Sequence, residues 1–344
     1  MRSLSLAASA LLLAGSITGC GRPRPIVAES LRTATPIKHL VVIYGENVSF
    51  DHYFATYPRA QNAPGEPAFT AAPGTPAIDG LSGPLLTHNP NLDPRNGVVA
   101  SNPFRLARSQ AATADQSHNY GLEELAYDHG AADLFPKYTG RGAPGGTGAF
   151  FTPALVMAYF DGNTVTALWN YAQHFAMSDN AHSDQYGPST PGAIDLISGQ
   201  TNGLTVALGT DSSYYVHDGL GGRTMISDVD PAGDVCSDTL DAVTMTGRNV
   251  GDLLNARGVS WGWFEGGFDR TLTNPNGSRG CYRSTMSNVV RSSMLDYIPH
   301  HQPFQYYAST ANPTHARPAA TALIGVSGDS TNHQYDIRDF FAAV

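Results

Sequence analysis

The residues His39 to Tyr44 form a short, continuous apolar run that ends at Gly45. A run of this length, closed by a glycine, is typical of a parallel β-strand that is buried on both faces. In α/β proteins, ligands collect beyond the carboxyl ends of such strands. The polar residues that follow here are Glu46 and Asn47, and their position makes them candidates for a functional site.

The composition indicates a globular chain with long, turn-rich loops. Of the 344 residues, 41% are apolar and 10% are aromatic, which is enough for a large core and excludes disorder throughout the chain. Glycine (36) and proline (23) are frequent, whereas only 14% of the residues are charged. The length allows one large α/β domain or two smaller ones. The net charge of −9 and the lack of a basic run predict no nucleic-acid partner.

The N-terminal residues have the pattern of an export signal. Arg2 precedes an apolar stretch, 4–17, that is too short to span a bilayer. The sequence ITGC at 17–20 resembles the lipobox of bacterial lipoproteins, in which the cysteine is lipidated; the alternative is an ordinary secretory signal in which Cys20 has no role. Both predict an exported protein with a leader at 1–20 and a tether at 21–36. The lipobox also predicts a lipid anchor in a membrane of the cell envelope.

The two remaining cysteines, Cys236 and Cys281, are predicted to form a disulfide, because exported proteins retain such bonds. Closing a loop of this length stabilises the fold by roughly 4 kcal/mol in the chain-entropy model. A metal-binding role is disfavoured, since neither cysteine belongs to a CxxC pair.

Apolar spacing predicts helical segments at 115–138, 163–174, 193–197 and 336–344, whereas 60–104 is predicted to be a long excursion over the surface. Residues 201–240 and 266–285 are expected to form loops or hairpins that the disulfide ties together. The last helical segment places Ile337, Phe340, Phe341 and Val344 on one stripe without a Gly or Pro stop signal. The sequence therefore predicts that the domain is incomplete at its C-terminus.

Several residues could carry chemistry. The carboxylate of Glu46 and the amide of Asn47 are oxygen ligands that suit a hard divalent cation, although an acidic residue after a strand can simply cap a turn or helix. Ser189 precedes a predicted helix that Thr190 would cap, and free N–H groups at such a helix start can bind phosphate. The alternative is a turn whose hydroxyls only cap the helix. Histidines that could contact a phosphoryl group are His118, His300 and His301.

These features occur in one ordered set. The sequence ENVSFDHYF at 46–54 closely resembles the signature of the bacterial phosphoesterase family that contains phospholipases C and acid phosphatases. Similar motifs follow in the same order: YFDGN at 159–163, AMSD at 176–179, GPSTPG at 187–192 and IPHHQPF at 298–304. The resemblance extends from about Ile37 to Val344. Ala55 stands where the family usually has glycine.

The resemblance implies an α/β fold of the alkaline-phosphatase type, with a central, mostly parallel sheet flanked by helices, over a phosphoesterase domain at 37–344. It implies metal-dependent hydrolysis of phosphate esters, with an unidentified divalent cation held by Glu46, Asn47 and Ser189. Ser189 is the expected nucleophile, which would form a phosphoserine, and Thr190 is the less favoured hydroxyl. His118, His300 and His301 are the expected groups that face the phosphate.

The C-terminal region departs from the family pattern, which completes its metal site with an adjacent pair of acidic residues. Asp329, Asp336 and Asp339 each stand alone here, and the missing pair is expected beyond Val344. Three functions remain open at this point: a phosphomonoesterase of the acid-phosphatase type, which is favoured, a phospholipase C that cleaves lipid headgroups, and a truncated, inactive envelope lipoprotein.

Overall fold

The computed structural model of the chain describes residues 33–143, 148–183, 185–209, 212–288 and 291–344. The leader predicted at 1–20 and the lipidation site Cys20 lie outside these residues. By its contacts the chain divides into two units, Met1–Leu40 and Val41–Val344. The described residues of the first unit are exposed, and Lys38 Nζ donates to Thr33 Oγ1 at 3.0 Å. No helix in the described part of the chain combines the length and apolarity that crossing a bilayer requires.

Short elements joined by turns make up the second unit. Its α-helices in the described residues are α1 (Phe50–Phe54), α2 (Pro84–Thr87), α3 (Tyr120–Tyr127), α4 (Phe135–Tyr138), α5 (Thr166–His174), α6 (Ser189–Ser198), α7 (Val250–Ala256) and α8 (Ile337–Ala343). Its strands are β1 (Phe104–Arg105), β2 (Ala158–Tyr159), β3 (Leu204–Leu208), β4 (Tyr215–His217), β5 (Arg223–Met225), β6 (Ala242–Met245), β7 (Trp263–Glu265), β8 (Ser284–Met286), β9 (Ser293–Leu295) and β10 (Gln334–Asp336).

The strands pair two by two. β1 with β2 and β7 with β10 are parallel, whereas β3 with β6, β4 with β5 and β8 with β9 are antiparallel. The mixture of helices and strands agrees with the predicted α/β class. The described residues form these small sheets, however, and not one central sheet, so the alkaline-phosphatase-type architecture stays a prediction.

The strand predicted at His39–Tyr44 is wrong. The structure assigns no strand there, and the side chains of Leu40 to Ile43 are 58–93% exposed. The physical reason is that a strand is held by the hydrogen bonds of its neighbours. Within the described residues, no strand pairs with this segment. The segment therefore has the composition of a buried strand, but it is exposed in the structure.

The predicted helices are found with different bounds. α5 lies inside the predicted 163–174, and α8 follows Asp336, whose carboxylate accepts from the Arg338 N–H. The segment 115–138 is not one helix, because Asp128 has a left-handed backbone and ends α3. The pair β4–β5 is a hairpin, as expected within 201–240.

Two groups of buried residues position the site. Ile194 and Ile197 of α6 pack in a core with Met225, Val229, Val243 and Tyr306. A second group surrounds the YFDGN motif, where Arg105 binds Asp161 through Nε at 2.7 Å. Gly162 leaves no room for a side chain, because a Cβ there would lie 2.5 Å from Cε3 of the buried Trp169. These contacts fix α5 and α6 against the rest of the unit.

The predicted disulfide is confirmed. Cys236 and Cys281 are bonded across a sequence separation of 45 residues. The bond joins the loop before β6 to the turn before β8, as the loop prediction required.

Candidate functional site

Ser189 is the first residue of α6 and not the residue ahead of it, as the sequence suggested. Pro188 takes the capping position, where a proline offers no side-chain hydrogen bond. Gly187 has a φ of +118°, a conformation that side chains rarely adopt, and this turn brings the chain into the helix. Glu123 of α3 fixes the turn, because its Oε2 accepts from the Gly187 N–H at 2.7 Å.

The predicted nucleophile and the first predicted metal ligand are in direct contact. The Oγ of Ser189 donates to Oε1 of Glu46 at 2.9 Å. His301 reaches the same oxygen, with Nε2 at 3.4 Å. Ser189 is half-buried, and the Glu46 side chain is 30% exposed, so this group of three is accessible from solvent.

Glu46, Asn47 and Ser189 line one cleft of about 980 Å³, and His118 lies on its wall. His300 and His301 are not among the residues that line it. Burial lowers the pKa of His301, and the neighbouring His300 lowers it further, although Glu46 acts in the opposite direction. A neutral His301 ring can donate one proton or accept one, as proton transfer in this pH range requires.

His300 has a different environment from its neighbour. Its Nδ1 lies 3.2 Å from Oδ1 of Asp230, and its Nε2 lies 4.0 Å from Oδ2 of Asp228. Burial by itself lowers the pKa of His300, but the bond to Asp230 and the two carboxylates outweigh it, so the pKa is raised. Both ring nitrogens thus face aspartates in the structure, and its contact with phosphate stays a prediction.

Thr190 is fully buried and is not the helix cap that the sequence predicted. Its N–H and its hydroxyl both lie within hydrogen-bond distance of Oδ1 of Asp228, at 2.9 and 2.8 Å. The hydroxyl also lies 3.1 Å from the carbonyl oxygen of His300. Because Thr190 is enclosed and partnered, Ser189 is the hydroxyl of this pair that a substrate can reach.

The start of α6 offers less to an anion than expected. Of its first three residues, Thr190 donates its N–H to Asp228, and Pro191 has no N–H. The Ser189 N–H is the donor that remains among these three for a phosphate oxygen. A bound phosphoryl group would therefore find few free backbone donors in this first turn.

The donor chemistry of the site fits a divalent cation. Glu46 supplies a carboxylate, Asn47 an amide oxygen and Ser189 a hydroxyl, which are all hard oxygen ligands. The single acids near the C-terminus have other partners: Asp336 binds Arg283 and caps α8, Asp339 binds Arg317, and Asp329 accepts from Thr331. Water would complete the shell around Glu46 and Asn47, as it commonly does for magnesium.

A second group with metal-ligand chemistry is built differently. Asp234, Cys236 and His315 each place one donor atom within 4.8 Å of the others. The Cys236 sulfur is bonded to Cys281, however, so it is not a thiolate. Asp234 and His315 are already paired at 2.9 Å with fully buried side chains. In the disulfide-bonded protein, Asp234 and His315 are already hydrogen-bonded to each other, and Glu46 remains the stronger candidate for a metal ligand.

Three acidic residues of the site do not belong to the motifs that predicted it. Asp228 and Asp230 lie beside Thr190 and His300, and Glu123 holds the turn before Ser189. The motif SDVDP at 227–231 was an available signal, because it places two carboxylates two residues apart in a loop ahead of a proline. Nothing in the sequence pairs that loop with α6.

Comparison with known proteins identifies the family of this chain. Among curated proteins, none matches the chain. A family model, that of the phosphoesterase family, matches residues 37–340, a span that contains Glu46, His118, Ser189 and both His300 and His301. The match covers most of the chain and confirms the resemblance that the motifs indicated. The chain therefore belongs to the phosphoesterase family.

Proposed function

We propose that this protein hydrolyses phosphate monoesters through a phosphoserine on Ser189, with the help of a divalent cation. Membership of the phosphoesterase family supports a hydrolase that acts on phosphate esters. The observation that carries the finer proposal is the contact of Ser189 Oγ with Glu46 Oε1 at 2.9 Å, beside His301 and at the edge of an open cleft. A nucleophilic hydroxyl needs a proton acceptor within this distance.

The residues of the site take separate roles in this mechanism. Glu46 accepts the proton of Ser189 as its Oγ attacks phosphorus and the ester oxygen leaves. In this proposal, His118 on the cleft wall and His301 beside Glu46 donate to phosphoryl oxygens or to the leaving oxygen. Water then attacks the phosphoserine and gives a proton to the histidine that protonated the leaving oxygen. The proton held by Glu46 returns to the Ser189 oxygen as phosphate is released. A cation bound by Glu46, Asn47 and Ser189 would polarise the phosphoryl oxygens.

A phospholipase C is the second candidate, and one observation favours it. Part of the cleft wall is apolar and aromatic, with Tyr127, Phe135, Leu155 and Val156 among its residues. Such a wall could accept the apolar part of a lipid ester. The two candidates differ in their substrates, because a monoesterase prefers a small soluble phosphate ester and a phospholipase prefers a lipid in a bilayer.

The deciding assay uses purified 21–344 with a chromogenic phosphate monoester and with phosphatidylcholine vesicles. Each substrate is tested after treatment with EDTA and after addition of magnesium, manganese, calcium or zinc. The proposal predicts metal-dependent release of phosphate from the monoester, which the Ser189→Ala variant lacks. Faster turnover of the lipid favours the phospholipase. Absence of turnover on both substrates, by a chain that is folded by circular dichroism, contradicts the proposed function and favours the inactive lipoprotein.

We also propose that the protein is exported and anchored through a lipid on Cys20. The support is the sequence alone, in which ITGC at 17–20 follows a short apolar stretch. Cells that express the full chain are labelled with radioactive palmitate, with Cys20→Ser as the control. Label in the wild type but not in the variant is the expected result, whereas an unlabelled wild type contradicts the anchor.

A further inference from the structure

Asp228 connects two parts of the site that are far apart in the sequence. On one side, Oδ1 lies 2.9 Å from the N of Thr190 and 2.8 Å from its Oγ1. On the other side, Oδ2 lies 4.0 Å from Nε2 of His300. The hydroxyl of Thr190 also lies 3.1 Å from the His300 carbonyl oxygen. One carboxylate therefore contacts the start of α6 and faces the turn that carries the two histidines.

The backbone next to Asp228 is firmly held. Val229 is 5% exposed and packs in the same core as Ile194 and Ile197 of α6. The carbonyl oxygen of Val229 accepts from the hydroxyl of the fully buried Tyr306 at 2.6 Å. Asp230, the next residue, bonds His300 through Oδ1 and the Asp238 N–H through Oδ2. Because the backbone beside Asp228 is held in this way, its carboxylate can fix the position of Thr190, which it binds.

Asp228 contacts Thr190 and faces His300, and each of these residues is a chain neighbour of a residue proposed to react. Ser189 precedes Thr190 in the chain, and His301 follows His300. Glu46 meets both Ser189 and His301 at a single oxygen, so a shift of either neighbour changes these distances. A displacement of about 1 Å in such a site can cost about a hundredfold in rate.

We infer that Asp228 is a positioning residue. It fixes the position of Ser189 relative to His301 and does not touch the substrate. This inference rests on the proposed function, because it concerns the same reaction. Asp228 does not line the cleft, and its proposed role is to align the nucleophile Ser189 with the proton acceptor Glu46. Asp228 should then affect the rate of the chemical step more than the binding of the ester.

The kinetic test compares Asp228→Ala with Asp228→Asn on the soluble monoester. The alanine variant loses the acceptor for Thr190, and we expect kcat to fall about a hundredfold while KM changes less than about threefold. Asparagine keeps an oxygen that Thr190 can reach, so it should restore kcat to within about tenfold of the wild type. Asp238→Asn, an exposed aspartate of the same loop, is the control and should behave as the wild type. An unchanged kcat in Asp228→Ala, or a loss confined to KM, overturns the inference.

A second measurement does not depend on turnover. Hydrogen exchange of the Thr190 amide should be slow in the wild type and in Asp228→Asn, and fast in Asp228→Ala. The amides of Ile194 and Ile197, deeper in α6, should stay protected in all three proteins, which shows that the helix remains folded. Equal exchange at Thr190 in the wild type and in Asp228→Ala overturns the inference. If the wild type lacks turnover, the proposed function fails, and the exchange experiment still decides whether Asp228 holds Thr190.

Discussion

Ser189 and Glu46 are 143 residues apart in the chain, and yet the serine hydroxyl donates to the glutamate carboxylate at 2.9 Å. The contact joins the segment after the apolar run 39–44 to the first turn of α6. In the proposed mechanism, Glu46 is both the proton acceptor of the nucleophile Ser189 and a ligand for the divalent cation. Both roles need the negative charge of the carboxylate.

Replacing Glu46 by glutamine keeps the size of the side chain and removes that charge. We expect kcat to fall by about a hundredfold or more, since the loss of a general base has effects of this size. Binding of magnesium or manganese, followed by calorimetry, should weaken as well. Glu124→Gln, an exposed glutamate on α3, is the control and should leave both quantities unchanged. Full activity in Glu46→Gln would show that the contact has no catalytic meaning.

Removal of the two hydroxyls at the start of α6 should have different main effects. Ser189→Ala removes the nucleophile, so turnover should fall about a thousandfold or more with little change in stability. Thr190→Ala removes a buried donor to Asp228, so the free energy of unfolding should fall by about 1–3 kcal/mol. Thr190→Ser retains the hydroxyl and is the matched control. Urea denaturation measures the change in stability. Mass spectrometry of the quenched reaction shows which residue carries the phosphate, and a phosphate on Thr190 would reverse the assignment.

Two ion pairs of the same type should differ in their contribution to stability. Arg105 and Asp161 are paired with side chains that are 12% and 2% exposed, whereas the pair of Arg95 and Asp93 is 49% and 24% exposed. Breaking the buried pair with Asp161→Asn should lower the free energy of unfolding by about 3–5 kcal/mol. Breaking the exposed pair with Asp93→Asn should cost less than about 1 kcal/mol. Urea denaturation compares them, and equal losses would contradict the role assigned to the YFDGN motif.

Local patterns predicted what depends on neighbours in the sequence. The helix at 166–174 follows from apolar spacing, and the disulfide follows from the only cysteines left after Cys20. The motifs identified Glu46 and Ser189, which the structure brings together. Their mutual contact was not predictable from spacing alone, because it depends on how the loops between them fold.

The failures have a common physical cause. The run 39–44 has the composition of a buried strand, but burial requires a partner that no local pattern specifies. Thr190 was predicted as a helix cap from its position next to proline, whereas its N–H donates to the carboxylate of Asp228, 38 residues later. The acids beside His300 come from the same distant loop and were not predicted either, whereas the contact of His300 with phosphate stays a prediction. Each error involves a partner supplied by tertiary structure.

The buried pair of Asp234 and His315 leads to a prediction about pH. Both nitrogens of His315 face acceptors: Nε2 lies 2.9 Å from Oδ2 of Asp234, and Nδ1 lies 3.1 Å from the carbonyl oxygen of Phe268. Burial by itself raises the pKa of Asp234, but the hydrogen bond and charge of His315, with donors from Cys236 and Tyr297, outweigh it. The pKa of Asp234 is therefore lowered in the folded protein.

A carboxylate with a lowered pKa in the folded state stabilises the protein above its unfolded pKa, which is about 3.9 for aspartate. That stabilisation is lost as the pH falls through the folded value. Asp234→Asn should therefore lower the free energy of unfolding by about 3–5 kcal/mol at pH 7, and the difference from the wild type should shrink below about pH 4. Urea denaturation at pH 3 to 8 measures it, with Asp238→Asn, exposed on the same loop, as the control. A difference that stays constant down to pH 3 would mean that Asp234 contributes by packing and not by its charge.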